Sequence, residues 1–162
     1  MGDTSDAYGR IRSLLDADGC RVTVHEHEPV VTVAEAVERV PELTETLLKT
    51  IVFRKKDGLW ILAGLLHTDR VDYKKLATAV NVNRRDLRPV AAEILQAKLG
   101  FEVGGVGPFP AADNTEVVID DAALGMSSVV CGSGRNTRSI EIGVSDLVRV
   151  TSAIVAPISK AK

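Results

Sequence analysis

The chain has 162 residues, of which 45% are hydrophobic, 4% aromatic and 26% charged, with a formal net charge of −2. That length fits one domain, residues 1–162, with a core built mainly from Val, Leu, Ile and Ala, and the composition excludes a disordered chain. No apolar run approaches the roughly 18–20 residues that span a bilayer, and residues 1–10 lack the basic-then-apolar profile of a secretory signal, so a cytoplasmic protein with no membrane partner is expected.

The two cysteines, Cys20 and Cys131, form no CxxC pattern, so neither a disulfide framework nor a thiolate metal site is indicated. A single bridge between them stays open. Charge is unevenly placed. Residues 1–48 carry a net −6, residues 49–101 a net +6, and residues 102–162 a net −2. The basic middle third contains Arg54-Lys55-Lys56, Lys74-Lys75 and Arg84-Arg85 followed by Arg88. It reads either as a phosphate-facing surface or as scattered solvated side chains.

In chain order, Tyr8, Ile11, Leu14 and Leu15 share one helical face, and Gly19 supplies a stop, which predicts a helix over residues 5–18. Residues 21–26 alternate as a short strand. Thr32 and Glu35 match a capping box, opening a helix that reaches Arg39 and ends before Pro41. Residues 50–54 and 59–66 are β-rich runs around Lys55-Lys56-Asp57-Gly58, where Asp57 and Gly58 supply the positive-φ positions of a tight hairpin turn. Residues 72–80 and 91–99 read as helices, the second closed by Gly100. A glycine-rich loop follows, then strands at 116–119, 128–131 and 140–142, with a last helix from Ser145 to about Ser152. Helices and strands mix without a regular βαβ period, so the class is α+β with a mixed, mostly antiparallel sheet.

Several residues are candidates for chemistry. Lys49 stands just before the β-branched run, where an ammonium can bind a phosphate or polarise an ester carbonyl. Its bland alternative is a lysine snorkelling at a strand edge. Gly104, Gly105 and Gly107, with Val106 between them and Pro108 after, can turn backbone N–H groups towards one point, as an oxyanion hole requires. A purely structural turn explains the same residues. Gly132-Ser133-Gly134-Arg135 is a second glycine loop after a strand, without the context of a dinucleotide site or a P-loop. His25 and His27 form an HxH pair without a recognisable third ligand, so no metal site is expected. Neither a GxSxG elbow nor a base for Cys131 is visible.

Taken in order, these features resemble the YbaK/EbsC family of prolyl-tRNA-synthetase-associated editing domains. The segments that carry the resemblance begin with Val24-His25-Glu26-His27-Glu28-Pro29, Leu47-Leu48-Lys49-Thr50-Ile51-Val52, and Asp69-Arg70-Val71-Asp72 leading to Lys74-Lys75-Leu76. Gly104 to Pro108 looks like the family's GxxxP loop, and the Gly132 loop with Ile140-Glu141-Ile142, Ser145 and Leu147 completes the set. The resemblance implies a mixed sheet curled into a partial barrel with helices around it. It also implies cofactor-free hydrolysis of the ester joining an amino acid to the 3′ end of a mischarged tRNA, with prolyl-tRNA synthetase as a possible partner. On this mapping Lys49 is the family lysine, His27 lines the entrance, Gly132 and Gly134 line the amino-acid pocket, and Thr50 and Ser133 join them as substrate-binding residues.

The departures are also informative. Some relatives carry a histidine in the second glycine loop and Asn after the lysine, a pattern linked to alanyl substrates. Here that loop has no histidine, Thr50 follows Lys49, and Gly107 replaces the serine of a GGxSP loop. This looks more like the Cys-tRNA(Pro) deacylase branch, whose substrate thiol assists its own cleavage. The rival from another class is a non-catalytic tRNA- or synthetase-binding module, and a third option is a deacylase for Ala- or Ser-charged tRNA.

Overall fold

The computed structural model describes residues 6–161. Helix α1 spans Ala7–Asp18, capped by Asp6, which accepts from the Gly9 N–H at 3.2 Å, and closed by Gly19 in the left-handed region. Ser5, the expected first residue of this helix, lies outside the described residues. Strand β1 is Val22–Glu26. Helix α2, Val33–Arg39, opens with the capping box read from sequence: Thr32 Oγ1 accepts from the Glu35 N–H at 3.1 Å, and the Glu35 carboxylate accepts from the Thr32 N–H at 3.3 Å.

Strands β2 (Leu48–Arg54) and β3 (Trp60–Leu66) pair antiparallel, with Leu48 opposite Leu66 and Arg54 opposite Trp60. β2 therefore begins two residues before the expected start, and Lys49 lies inside it. The cause is the partner: β3 stays apolar through Leu66, and ladder bonds extend the pairing to its end. The connecting turn also differs. Only Gly58 takes a positive φ, 100°, while the Gly58 N–H donates to Lys55 O and the Lys55 N–H to Leu59 O, both at 2.8 Å. That is a type I turn followed by a glycine bulge, so Asp57 needs no left-handed backbone and instead accepts from the Leu59 N–H at 3.1 Å.

Helix α3 (Tyr73–Ala79) lies within the expected 72–80, with Asp72 as its N-cap and not its first residue, and α4 (Ala92–Leu99) ends at Gly100, as its sequence indicates. Between them the two-residue strand β4, Arg88–Pro89, adds to the edge of β2. Strands β5 (Thr115–Asp120), β6 (Ser128–Gly132) and β7 (Arg138–Gly143) precede α5 (Val144–Thr151) and β8 (Ile154–Ala156). Gly143, not Ser145, sits at the N-cap of α5, so Ser145 falls within its first turn.

The strands form two sheets. One is mixed, in the order β4-β2-β3-β5-β8, antiparallel on the β2 side and parallel from β3 through β5 to β8. The other, β1-β7-β6, is antiparallel. They meet where Leu47 bridges Val130 and the Val130 N–H donates to Thr46 O at 3.0 Å, without closing a barrel. Strand β3 is buried on both faces. Trp60 and Leu62 face the core shared with β6, β7, α1 and α5, whereas Ile61, Ala63 and Leu65 face α3 through Leu76 and Ala77. Aromatics are scarce but central: Phe53, Phe101 and Phe109 are all fully buried.

Candidate functional site

The two glycine loops pack backbone against backbone. A Cβ built on Gly107 would lie 2.0 Å from Gly132 O, and one on Gly132 would lie 2.0 Å from Val106 O. A Cβ on Gly105 would lie 2.7 Å from the backbone of Arg135. Of the Gly104–Pro108 glycines only Gly104 has a positive φ, 88°, so close approach rather than unusual dihedrals accounts for the other two. Hydrogen bonds tie the loops together. The Gly134 N–H donates to Gly105 O at 2.7 Å, and the Glu102 N–H to Gly134 O at 2.9 Å.

The segment 27–30 joins the same assembly. The His27 N–H donates to Thr137 O and the Val30 N–H to Asn136 O, both at 2.9 Å. Asn136 in turn donates its N–H to Glu102 Oε1 at 2.7 Å. Three stretches far apart in sequence thus form one rigid frame. Gly132→Ala should break it. With the new methyl opposed by backbone atoms on a tied loop, destabilisation of about 3 kcal/mol is expected, lowering Tm by roughly 6–12 °C in thermal melts.

This frame, strand β2, helix α2 and the start of α4 enclose a cavity of about 320 Å³, at the lower end of small-molecule sites. His27, Lys49, Thr50, Gly104, Val106 and Gly132 line it. Five other expected lining residues do not. Gly105 and Gly107 are buried between the loops, Pro108 is buried beside them, Gly134 is pressed against the start of α1 at Ala7 and Tyr8, and Ser133 is consumed by its own turn, its hydroxyl donating to Arg138 O at 2.6 Å. The expectation treated each loop as a unit facing the ligand. In fact part of each loop is taken up by packing, against the other loop or against α1.

Electrostatics favour an anionic or ester ligand. Lys49, Arg135 and Arg138 line the cavity, and no carboxylate does among the described residues. The most exacting feature is Thr50. Its Oγ1 is buried without a hydrogen-bond partner, a state that costs free energy unless a ligand supplies the missing bond. The N–H groups of Gly104 and Val106 likewise have no acceptor among the described residues.

Lys49 is half-buried, and its Nζ donates to His67 O at 3.2 Å, just past the end of β3. Burial lowers its pKa; Asp69 opposes that shift and Arg70 adds to it. By the two-residue alternation of β2, Lys49 leaves the sheet on the side of Ile51 and Phe53, and Thr50 on the side of Leu48 and Val52. The two residues therefore reach the site from opposite faces.

His27 and Ser139 are a pairing that sequence reasoning missed. His27 Nδ1 lies 2.8 Å from the Glu28 carbonyl oxygen, which can only accept, so the neutral ring carries its proton on Nδ1. Nε2 is then the acceptor for the Ser139 hydroxyl, also at 2.8 Å. Both residues line the cavity. Sequence separation hid the pair, since 112 positions part the partners and only the β1–β7 register, which sets Glu26 opposite Arg138, brings them together. His25 takes a different partner, Glu141 Oε1 at 2.8 Å. Cys20 and Cys131 are free thiols, and burial pushes Cys131 up to about 12, so it holds no thiolate near neutral pH.

A mixed sheet and paired glycine loops thus frame a cavity lined by Lys49, Arg135 and Arg138, with no carboxylate in its lining among the described residues. Comparison with known proteins gives the class. Residues 27–150 match the aminoacyl-tRNA editing domain, and the chain belongs to that family. It is 25% identical over 153 residues to the prolyl-tRNA editing protein ProX of Acetoanaerobium sticklandii, covering 91% of this chain and 92% of that one. It is also 28% identical over 116 residues to the uncharacterised protein YwhH of Bacillus subtilis, 72% of each chain. Among solved structures, a candidate trans-editing enzyme for prolyl tRNA synthetase superposes with a TM-score of 0.78 at 23% identity, covering 99% of this chain and 100% of that one. A second, a hypothetical protein, reaches a TM-score of 0.81 at 24% identity, covering 93% and 99%. Among the described residues no helix is long and apolar enough to cross a membrane.

Proposed function

We propose that this protein is an aminoacyl-tRNA deacylase that hydrolyses the ester of mischarged tRNA, with Cys-tRNA(Pro) as its substrate. The observation that carries the reading is the buried, unpartnered Thr50 hydroxyl in a cavity without carboxylates, inside an aminoacyl-tRNA editing domain. Thr50 hydrogen-bonds the substrate. The free N–H groups at Gly104 and Val106 receive the carbonyl oxygen as it becomes an oxyanion. Lys49 supplies positive charge at the ribose end of the ester. In the cysteinyl case the substrate's thiolate attacks the carbonyl carbon, the carbon–oxygen bond to the ribose breaks, and the ribose oxygen takes up a proton. Incubating the protein with cysteinyl-, alanyl- and seryl-tRNA tests this. Loss of the cysteinyl ester is the expected result, and tRNA binding without cleavage of any ester would establish a non-catalytic module instead.

One observation favours a second reading, a nucleophile supplied by the protein and acting on alanyl or seryl esters. The Ser139 hydroxyl and His27 Nε2 have the spacing of a hydroxyl and its base, and the Glu28 carbonyl holds the ring. The variants Ser139→Ala and His27→Ala decide between the two. Thiol-assisted cleavage predicts that both keep cysteinyl deacylation within about threefold, whereas a base lost from the transition state lowers the rate by about 10²-fold or more.

A further inference from the structure

Beside the cavity runs a second depression, lined by Arg54, Lys55, Lys56, Trp60, Arg88 and Ile94 among others. The two share Val90, and they divide the first turn of α4 between them: Ala92 and Leu95 border the cavity, Ala91 and Ile94 the groove. We propose that this groove, between the β2–β3 hairpin and the β4–α4 junction, holds the sugar-phosphate backbone of the tRNA strand whose end enters the cavity. The proposal rests on the deacylase reading for the identity of the ligand but makes its own demand on the surface.

Three features carry it. First, the groove gathers four cations and, among the described residues, one carboxylate, Asp57, which Lys55 pairs with at 3.3 Å. Secondly, the ladder sets Arg54 directly opposite Arg88 across β2 and β4. Like charges so placed repel, and no acidic partner for either is present among the described residues. A fold that keeps such a pair gains from an external anion. Thirdly, the Arg54 guanidinium lies over the Trp60 ring, 4.3 Å from its centroid, which anchors it at the groove wall, and half-exposed Ile94 lines the same groove. A charged rim over an apolar floor suits a nucleic-acid strand, whose phosphates meet the cations and whose bases and riboses meet the floor. Strand geometry sets the reach. Lys49 and Arg54 are five residues apart on β2, roughly 17 Å at the usual rise, so the groove takes nucleotides upstream of the ester and not the ester itself.

The test compares Arg54→Gln/Arg88→Gln with wild type in the binding of uncharged tRNA, followed by fluorescence anisotropy across a salt series. Lys56→Gln/Arg88→Gln serves as a second variant that retains the Arg54–Trp60 contact, and Lys74→Gln/Lys75→Gln on α3 as the comparison cluster. Both groove variants should weaken binding by about tenfold or more and lower the salt slope by about 1–2, while the α3 variant changes neither. In turnover, KM should rise with kcat unchanged. Wild-type affinity in folded groove variants, or an equal loss in the α3 variant, overturns the groove assignment. Failure of the deacylase reading looks different, because the wild type then cleaves none of the esters while the anisotropy arm still reports on the groove.

Discussion

Lys49→Met lowers the rate of cysteinyl-tRNA deacylation by about 10²–10³-fold, equivalent to roughly 2.7–4 kcal/mol of transition-state stabilisation, while leaving Tm unchanged or higher. The two halves of this expectation have one cause. An ammonium held half-buried, with its pKa lowered chiefly by desolvation, costs stability as long as it is charged. The sign is definite. With the folded pKa below the unfolded one, the unfolded chain binds more protons between the two values, so stability rises with pH through that window. Below it, at neutral pH, the full cost is present, and removing the charge relieves it. The stability difference between wild type and variant should therefore shrink as alkaline pH discharges Lys49. The carbonyl bond to His67 and the attraction of Asp69 are lost in return, both outweighed by the desolvation that sets the net direction of the shift, and methionine keeps most of the packed stem. Single-turnover rates with melts at neutral and alkaline pH check both halves. A folded variant with wild-type turnover would remove Lys49 from the chemistry.

Cysteinyl-tRNA should be cleaved at least about 10²-fold faster than alanyl- or seryl-tRNA. A thiol with a reference pKa near ~8.5 is about one-tenth thiolate at pH 7.5, whereas a hydroxyl is far less acidic and a methyl provides no nucleophile. Held against its own carbonyl, that thiolate gains an effective concentration that bulk water cannot match, and intramolecular advantages of about 10⁵ M are attainable. The cavity contributes shape and charge, not a thiolate of its own, because Cys131 remains protonated in the core. The rate on the cysteinyl ester should accordingly climb with pH towards the thiol's pKa, and a thiolactone should be trappable. Equal or faster cleavage of the alanyl ester would end the thiol-assisted mechanism and leave the His27–Ser139 pair as the source of the nucleophile.

Much of this protein was legible in its sequence wherever the cause is local. The Thr32–Glu35 capping box, the glycine stops at 19 and 100 and the turn at 55–58 each act within a few residues, and each is where the sequence puts it. Ordered short motifs also sufficed to recognise the editing-domain family. Pairing decided the rest. β4 and β8 are two and three residues long, too short for any periodic signal, and exist only because β2 and β5 offer them a free edge. Lys49 lies inside a strand because β3 extends the ladder to it. Which glycines face the cavity, and which face one another, depends on loops about thirty residues apart meeting backbone to backbone. The unpartnered Thr50 hydroxyl, the His27–Ser139 pair and the opposed Arg54 and Arg88 share that origin. A sequence states which groups a chain carries, but a hydrogen bond left unmade, or a like charge set opposite another, is a relation between distant segments and arises only when the fold brings them within a few ångströms.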